Sequence, residues 1–191
     1  MGLFYKVSLK MRLKARNKIF LERALPTLKK NEFEEMPFRA PWFGKNNLGD
    51  YTYELCKLNE NRHLEIITTH ISKGDIWIKI YLNIFDLKPD LQSLQQLKGL
   101  PIIQFYLPPN TSTEMRLRID DFKGMPLFRT VEHKLKSFYT KSGFHTRVRE
   151  LGELIEKDMN NIDYFVKRWY EINGQPMVTD WEGKQRNKNE P

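Results

Sequence analysis

Cys56 is the only cysteine in 191 residues. One thiol closes no intramolecular disulfide and builds no multi-cysteine metal site. Histidine is scarce as well, with His63, His70, His133 and His145, and no two of these lie at the i, i+4 spacing that offers two ligands from one helix. His63 and His70 fall on opposite faces of a strand, about 23 Å apart at the rise of extended chain. No metal and no cofactor is expected, and the histidines read as exposed or capping groups. Long apolar runs are also missing. The longest uncharged stretch, Leu100 to Pro109, is far short of the roughly 20 residues a bilayer span needs. The residues after Met1 lack the apolar core of a secretory leader. A cytoplasmic protein without membrane contact is the expectation.

Motifs for chemistry are absent too. No glycine-rich phosphate loop and no Gly-x-Ser-x-Gly elbow occurs. The paired carboxylates Glu34-Glu35 and Asp120-Asp121 sit in turn-like segments, where a solvated pair is the ordinary explanation. Cys56 falls on an expected strand without a catalytic partner in view, and a structural role suits so commonly buried a residue.

Acidic residues are nearly missing from the first thirty positions, which hold nine basic side chains and only Glu22 against them. That excess equals the whole net charge of +8, so the rest of the chain is balanced. Tyr5, Val7, Leu9, Met11, Leu13 and Ala15 alternate there with Lys6, Ser8, Lys10, Arg12, Lys14 and Arg16. Period two predicts an edge strand whose outer face is a row of cations, although Met, Leu, Lys, Arg and Ala also favour helix. Residues 17–31 read as a helix, with Asn17 as its cap and Pro26 bending or ending it.

The strongest pattern lies at Gly74–Asp86. Ile76, Ile78, Ile80, Leu82 and Ile84 share one face, while Trp77, Lys79, Tyr81, Asn83 and Phe85 share the other. With 51–58 and 62–71 this stretch forms a three-strand meander. Two-residue turns at Glu60-Asn61 and Lys73-Gly74 pair Tyr53 with Thr68, Tyr51 with His70, and His70 with Trp77. That register gathers Tyr51, Tyr53, Ile66, His70, Trp77, Lys79 and Tyr81 on one face. It also sets Glu65 opposite Leu82 on the dry face, a sign of a one-residue slip.

Further on, Pro89 opens a short helix closed by Gly99. Ile102–Leu107 and Thr113–Ile119 read as a second hairpin. Pro126 begins a helix carrying Phe128, Val131, Leu135 and Phe138, which ends at Ser142-Gly143. Thr146 caps a long last helix striped by Val148, Leu151, Ile155, Met159, Ile162, Val166 and Trp169, with Asn160-Asn161 as its one weak point. The fold class is α+β: a single domain over 1–174 with a mostly antiparallel sheet of about five or six strands. Its last two helices are expected to pack on the Ile76–Ile84 face, and 175–191 to be a largely disordered tail.

For function, the expectation is a non-enzymatic, adaptor- or immunity-type domain that binds a protein, possibly an acidic one. Its contact is either the sheet face of Tyr51, Tyr53, His70, Trp77, Lys79 and Tyr81 or the basic edge of Lys6, Lys10, Arg12, Lys14 and Arg16. Rings interleaved with cations also suit single-stranded nucleic acid, with bases stacked and phosphates neutralised. An enzyme of unknown class is the third reading.

Overall fold

In a computed structural model, which describes residues 5–122 and 131–186, the chain forms an α+β domain around one sheet. Three long strands make its centre: β3 (Tyr51–Leu58), β4 (His63–Ile71) and β5 (Lys79–Leu87). Short strands β1 (Glu34–Glu35) and β2 (Phe43–Lys45) share the free edge of β3. On the far edge of β5, β6 (Met115–Arg116) pairs antiparallel and β7 (Met177–Thr179) pairs parallel. The sheet is thus mostly antiparallel, with seven strands among the described residues.

The alternation read from Gly74 to Asp86 holds from Ile78 onward, whereas Ile76 is only half-buried and lies before β5. Ile78, Ile80, Leu82 and Ile84 are at most 1% exposed and face a core built with the helices. At about 1.5–3 kcal/mol for each fully buried aliphatic side chain, this row is a main source of stability. Over it pack the C-terminal helices α3 (Lys141–Asn160) and α4 (Ile162–Asn173). They arise by a break in the long striped helix at Asn161 (φ −108°, ψ 33°), whose side chain donates back to the Lys157 carbonyl at 2.8 Å. Helix α3 starts earlier than expected, because Thr140, not Thr146, accepts from the Gly143 N–H at 2.9 Å. The helix expected from Pro126 is not present over 131–140. Those residues run extended, with Leu135 and Ile78 hydrogen-bonded across to the facing strand segment, and residues 126–130 lie outside the described part.

The first element corrects the sequence expectation most sharply. Residues 9–19 form helix α1 (Leu9–Ile19), followed by a π-helical turn at Phe20–Ala24 and by α2 (Leu25–Lys30). Ser8 caps α1 by accepting from the Met11 N–H at 3.2 Å. The local composition decides against a strand: after Val7 no β-branched residue occurs until Ile19, whereas Leu, Met, Lys, Arg and Ala all favour helix. Leu13, Arg16, Ile19 and Phe20 then fall on one buried stripe. Pro26 does not end the helix: it follows directly on the π-helical turn, where the Leu25 N–H bonds to the Phe20 carbonyl five residues back, and the chain continues as α2. Asn17 is mid-helix and accepts from the Tyr53 hydroxyl at 2.6 Å.

The opposite sheet face carries a second layer without long helices. The expected helix at 89–99 shrinks to a 3₁₀ turn at Leu94–Leu97, and the expected hairpin at 102–119 becomes two more 3₁₀ turns, Ile103–Tyr106 and Asn110–Thr113, before β6. Leu91, Leu94, Leu97, Ile102 and Phe105 bury there against Cys56, Leu64, Ile66 and Phe85. Asn110, 2% exposed, knits the layer: its amide donates to the Gln104 and Gly183 carbonyls, and its own carbonyl accepts from Asn83. The bond to the Gly183 carbonyl also corrects the expectation of a disordered tail from 175. Residues 177–179 run parallel to β5 as β7, and 184–186 fold back on them, with Arg186 N–H bonded to the Val178 carbonyl at 3.0 Å, while 187–191 lie outside the described residues.

Candidate functional site

Whether the aromatic face survives depends on register. Tyr53 pairs with Thr69 and Tyr51 with Ile71, one residue from the expected pairing. The reason is the turn. Asn59 N–H bonds to the His63 carbonyl, leaving a three-residue loop that ends on Arg62 at φ +62°, the left-handed residue such loops require. An odd slip moves every side chain to the other face. Tyr51 and Tyr53 therefore join the helix-covered side, where Tyr53 is 3% exposed and stacks on Phe20 at 4.4 Å between centroids. Across β4 and β5 the slip is two residues, His70 pairing with Lys79, and an even slip leaves faces unchanged. His70, Lys79 and Tyr81 stay together on the second face, with Thr52, Glu54 and Thr68 in place of the two tyrosines. Glu65, awkward in the expected register, now pairs with Lys57.

Trp77 lies before β5, in a stretch that pairs with Lys134, and its indole N–H donates to Glu132 at 3.0 Å. Arg116 and Lys134 stand over its ring at 5.8 and 5.9 Å. Lys79 is held by Asp75 at 2.6 Å.

The basic edge dissolves on a helix. Lys6, Lys10 and Lys14 are exposed, and Lys10, Lys14 and Lys18 form an i, i+4 ridge. Arg12 turns toward Phe138, 5.3 Å above its ring. Arg16 is fully buried: its guanidinium donates to the Trp77 carbonyl at 2.7 Å and the Ser72 carbonyl at 2.9 Å, pinning the β4–β5 connection. Burial works to lower its pKa against the charges of Asp75 and Asp50, which favour the cation.

The second layer covers only one end of its sheet face. Where it stops, a cleft of about 460 Å³ opens over Thr52, Glu54, Thr68 and His70. Trp42 and Ile103, 51% and 57% exposed, are large apolar residues among those that bound it. Asp50 and Asn46 come from the 42–50 loop, Tyr106 from one 3₁₀ turn and Thr111 from the next, and Glu114 from the approach to β6. The loop is held by its own bonds: Asp50 N–H donates to the Asn46 side chain at 3.0 Å, and the Asp50 carboxylate accepts from the Lys73 N–H at 2.7 Å. Glu54, 2% exposed, accepts from the Trp42 N–H at 2.8 Å.

Desolvation governs the electrostatics here. It pushes Glu54 above the usual carboxylate range, against the Trp42 N–H and Tyr106, which favour the anion. Glu114 is pushed up in the same way, with Asp120 adding to it. The buried Tyr106 hydroxyl oxygen faces Glu54 and Thr68 without closing a hydrogen bond of standard geometry, and burial raises its pKa strongly. His70, 3.3 Å from the Thr52 hydroxyl, is pushed down by burial and then by Lys79.

That shift predicts a pH effect. The folded form holds fewer protons on His70 than the unfolded chain, so the stability tied to its neutral ring is present above about pH 6.5 and is lost as pH falls through the folded value. His70→Asn should flatten the loss of stability between about pH 8 and about pH 5.5, measured by urea denaturation. His63 is also pushed down and Glu54 and Glu114 work in the opposite sense, so the difference between the two proteins isolates His70. An identical pH slope in both would contradict the assignment.

Two other constellations offer less. His133, expected exposed or capping, is 3% exposed and lies 2.6 Å from Asp158 of α3, which also takes both arms of Arg118. Burial works to raise Asp158, but Arg118 and His133 hold it below the usual carboxylate range. Among the described residues no serine or cysteine joins them, and they tie 118 and 133 to α3. Cys56 is buried beneath the second layer, where desolvation raises its pKa and keeps it a thiol. Among the described residues no group of three His, Cys, Asp or Glu is disposed to hold a metal ion, and no helix is long and apolar enough to cross a membrane.

Of the cleft residues described above, the sequence pointed to His70. Glu54, Tyr106, Thr111 and Glu114 were missed because they converge from segments 60 residues apart. One signal was present: Glu54 interrupts Tyr53-Glu54-Leu55-Cys56, an acid inside a strand apolar on both sides. Comparison of the chain with protein-family models, curated proteins and solved structures found no match.

Proposed function

We propose that the chain is a non-enzymatic binding domain, of adaptor or immunity type, that docks a protein partner by receiving one of its side chains in the cleft beside Trp42. One observation carries this: the second layer stops short of the sheet's end and leaves a concave site with exposed apolar lips over polar floor groups. Pockets of about 300–1,000 Å³ with a few convergent polar groups are the usual form of a binding site, and exposed aromatic anchors are frequent at interfaces. A single buried cysteine suits a reducing compartment, in keeping with a cytoplasmic protein. Nucleic-acid binding loses its platform, because Tyr53 is buried and the rings divide between two faces. The ridge of Lys10, Lys14 and Lys18 is the competing contact, suited to an acidic surface.

Retention of a partner from the native cell on immobilised protein distinguishes cleft from ridge. Thr111→Trp, which fills the cleft, and Trp42→Ala should each abolish retention, while Lys10→Gln with Lys14→Gln should leave it intact. Loss with the lysine pair and persistence with the cleft variants would overturn the proposal.

A further inference from the structure

We infer that the cleft receives a cation, the guanidinium or ammonium end of an arginine or lysine side chain of the partner protein. This rests on the docking role proposed above and adds the chemistry of the occupant.

The charge inside the cleft runs against the charge of the molecule. The chain carries a net +8, yet Asp50, Glu54 and Glu114 line the cleft, and among the described residues no lysine or arginine does. His70 is the one basic group in that described lining, and burial favours its neutral form. Three of the cations around this part of the sheet are already engaged: Arg16 with two backbone carbonyls, Lys79 with Asp75, and Arg116 over the Trp77 ring. Among the described residues neither Glu54 nor Glu114 has an ion-pair partner within 4.0 Å. Both carboxyls thus bear a desolvation cost with no compensating charge, and a cation entering the cleft would relieve it. Aromatic walls from Trp42 and Tyr106 add the negative ring faces that favour a cation over a neutral group of the same shape. The buried Tyr106 oxygen, which faces Glu54 and Thr68, supplies a further lone pair. An anionic occupant would meet the carboxyls with like charge, and a purely aliphatic one would leave them uncompensated.

The test uses the full chain, isotope-labelled, and three probes: N-acetyl-arginine methylamide, N-acetyl-lysine methylamide and the neutral near-isostere N-acetyl-citrulline methylamide, each titrated to tens of millimolar. The basic probes should move the Trp42 indole and the Thr52, Thr68 and Thr111 amide signals. Citrulline should bind roughly tenfold more weakly, the difference between charge-assisted and neutral hydrogen bonds. Glu114→Gln should cut arginine binding several-fold without changing citrulline binding, and Glu54→Gln, which still accepts from the Trp42 N–H, should do the same. Equal binding of all three probes in the cleft would overturn the cation while leaving the docking role standing. Absence of any shift, or shifts elsewhere on the surface, would overturn the cation; the docking role is judged separately by the Thr111→Trp and Trp42→Ala retention test.

Discussion

Arg16→Met is expected to lower the free energy of unfolding by about 2–5 kcal/mol, since each buried carbonyl left without a donor costs roughly 1–3 kcal/mol. Methionine keeps the apolar stem that packs in the core but gives nothing to the Ser72 and Trp77 carbonyls. It also removes a buried charge that answers Asp50 and, beside Lys79, Asp75. Arg16→Lys should recover only part, because an ammonium cannot hold two carbonyls in the fork geometry of a guanidinium. Urea denaturation of the three proteins gives the comparison. A loss below about 1 kcal/mol for methionine, the range of surface substitutions, would mean that the β4–β5 connection does not depend on this residue.

Trp169→Ala should cost still more, about 3–5 kcal/mol, the range for large aromatic truncations in a core. Trp169 is fully buried on α4, and its indole N–H donates to the Thr113 carbonyl at 2.7 Å. The ring therefore joins the helical layer to the turn that builds one wall of the cleft. A fall in melting temperature on the order of 10 °C is expected for a domain of this size. Trp169→Phe should lose less, because it keeps most of the volume and Asn173 still donates to the Thr113 carbonyl at 3.2 Å. Equal losses for alanine and phenylalanine would show that the hydrogen bond, not the packing, carries the effect.

Both residues show what the sequence made legible. Trp169 closes a stripe spaced by threes and fours, a periodicity that only a helix buries on one side, and the pattern predicted its burial directly. Ile78 to Ile84 declared the central strand in the same way. Arg16 was misread because Lys and Arg alternating with Leu, Met and Ala satisfy period two and period 3.6 at once over so short a span. What decided the outcome was the composition without β-branched residues, the Ser8 cap, and a tertiary site that buries a guanidinium. Alternation alone carries none of these.

The site itself was less legible, for a geometric reason. One residue in the β3–β4 turn decides which face Tyr51 and Tyr53 take, and a left-handed Arg62 is not the residue a turn pattern announces. The second layer is built from 3₁₀ turns, whose hydrophobic spacing is too short to leave a period. The cleft exists only because that layer stops before His70, a fact of packing between segments far apart in the chain.

Amide hydrogen exchange on the complex with the partner retained by the wild-type chain tests the central claim most directly. The account predicts slowed exchange on binding in the 42–54 loop and strand, at 68–72 and across the 103–114 turns, with helix α1 unchanged. Protection confined to α1 and its lysine ridge, with the cleft segments exchanging as in the free protein, would contradict it.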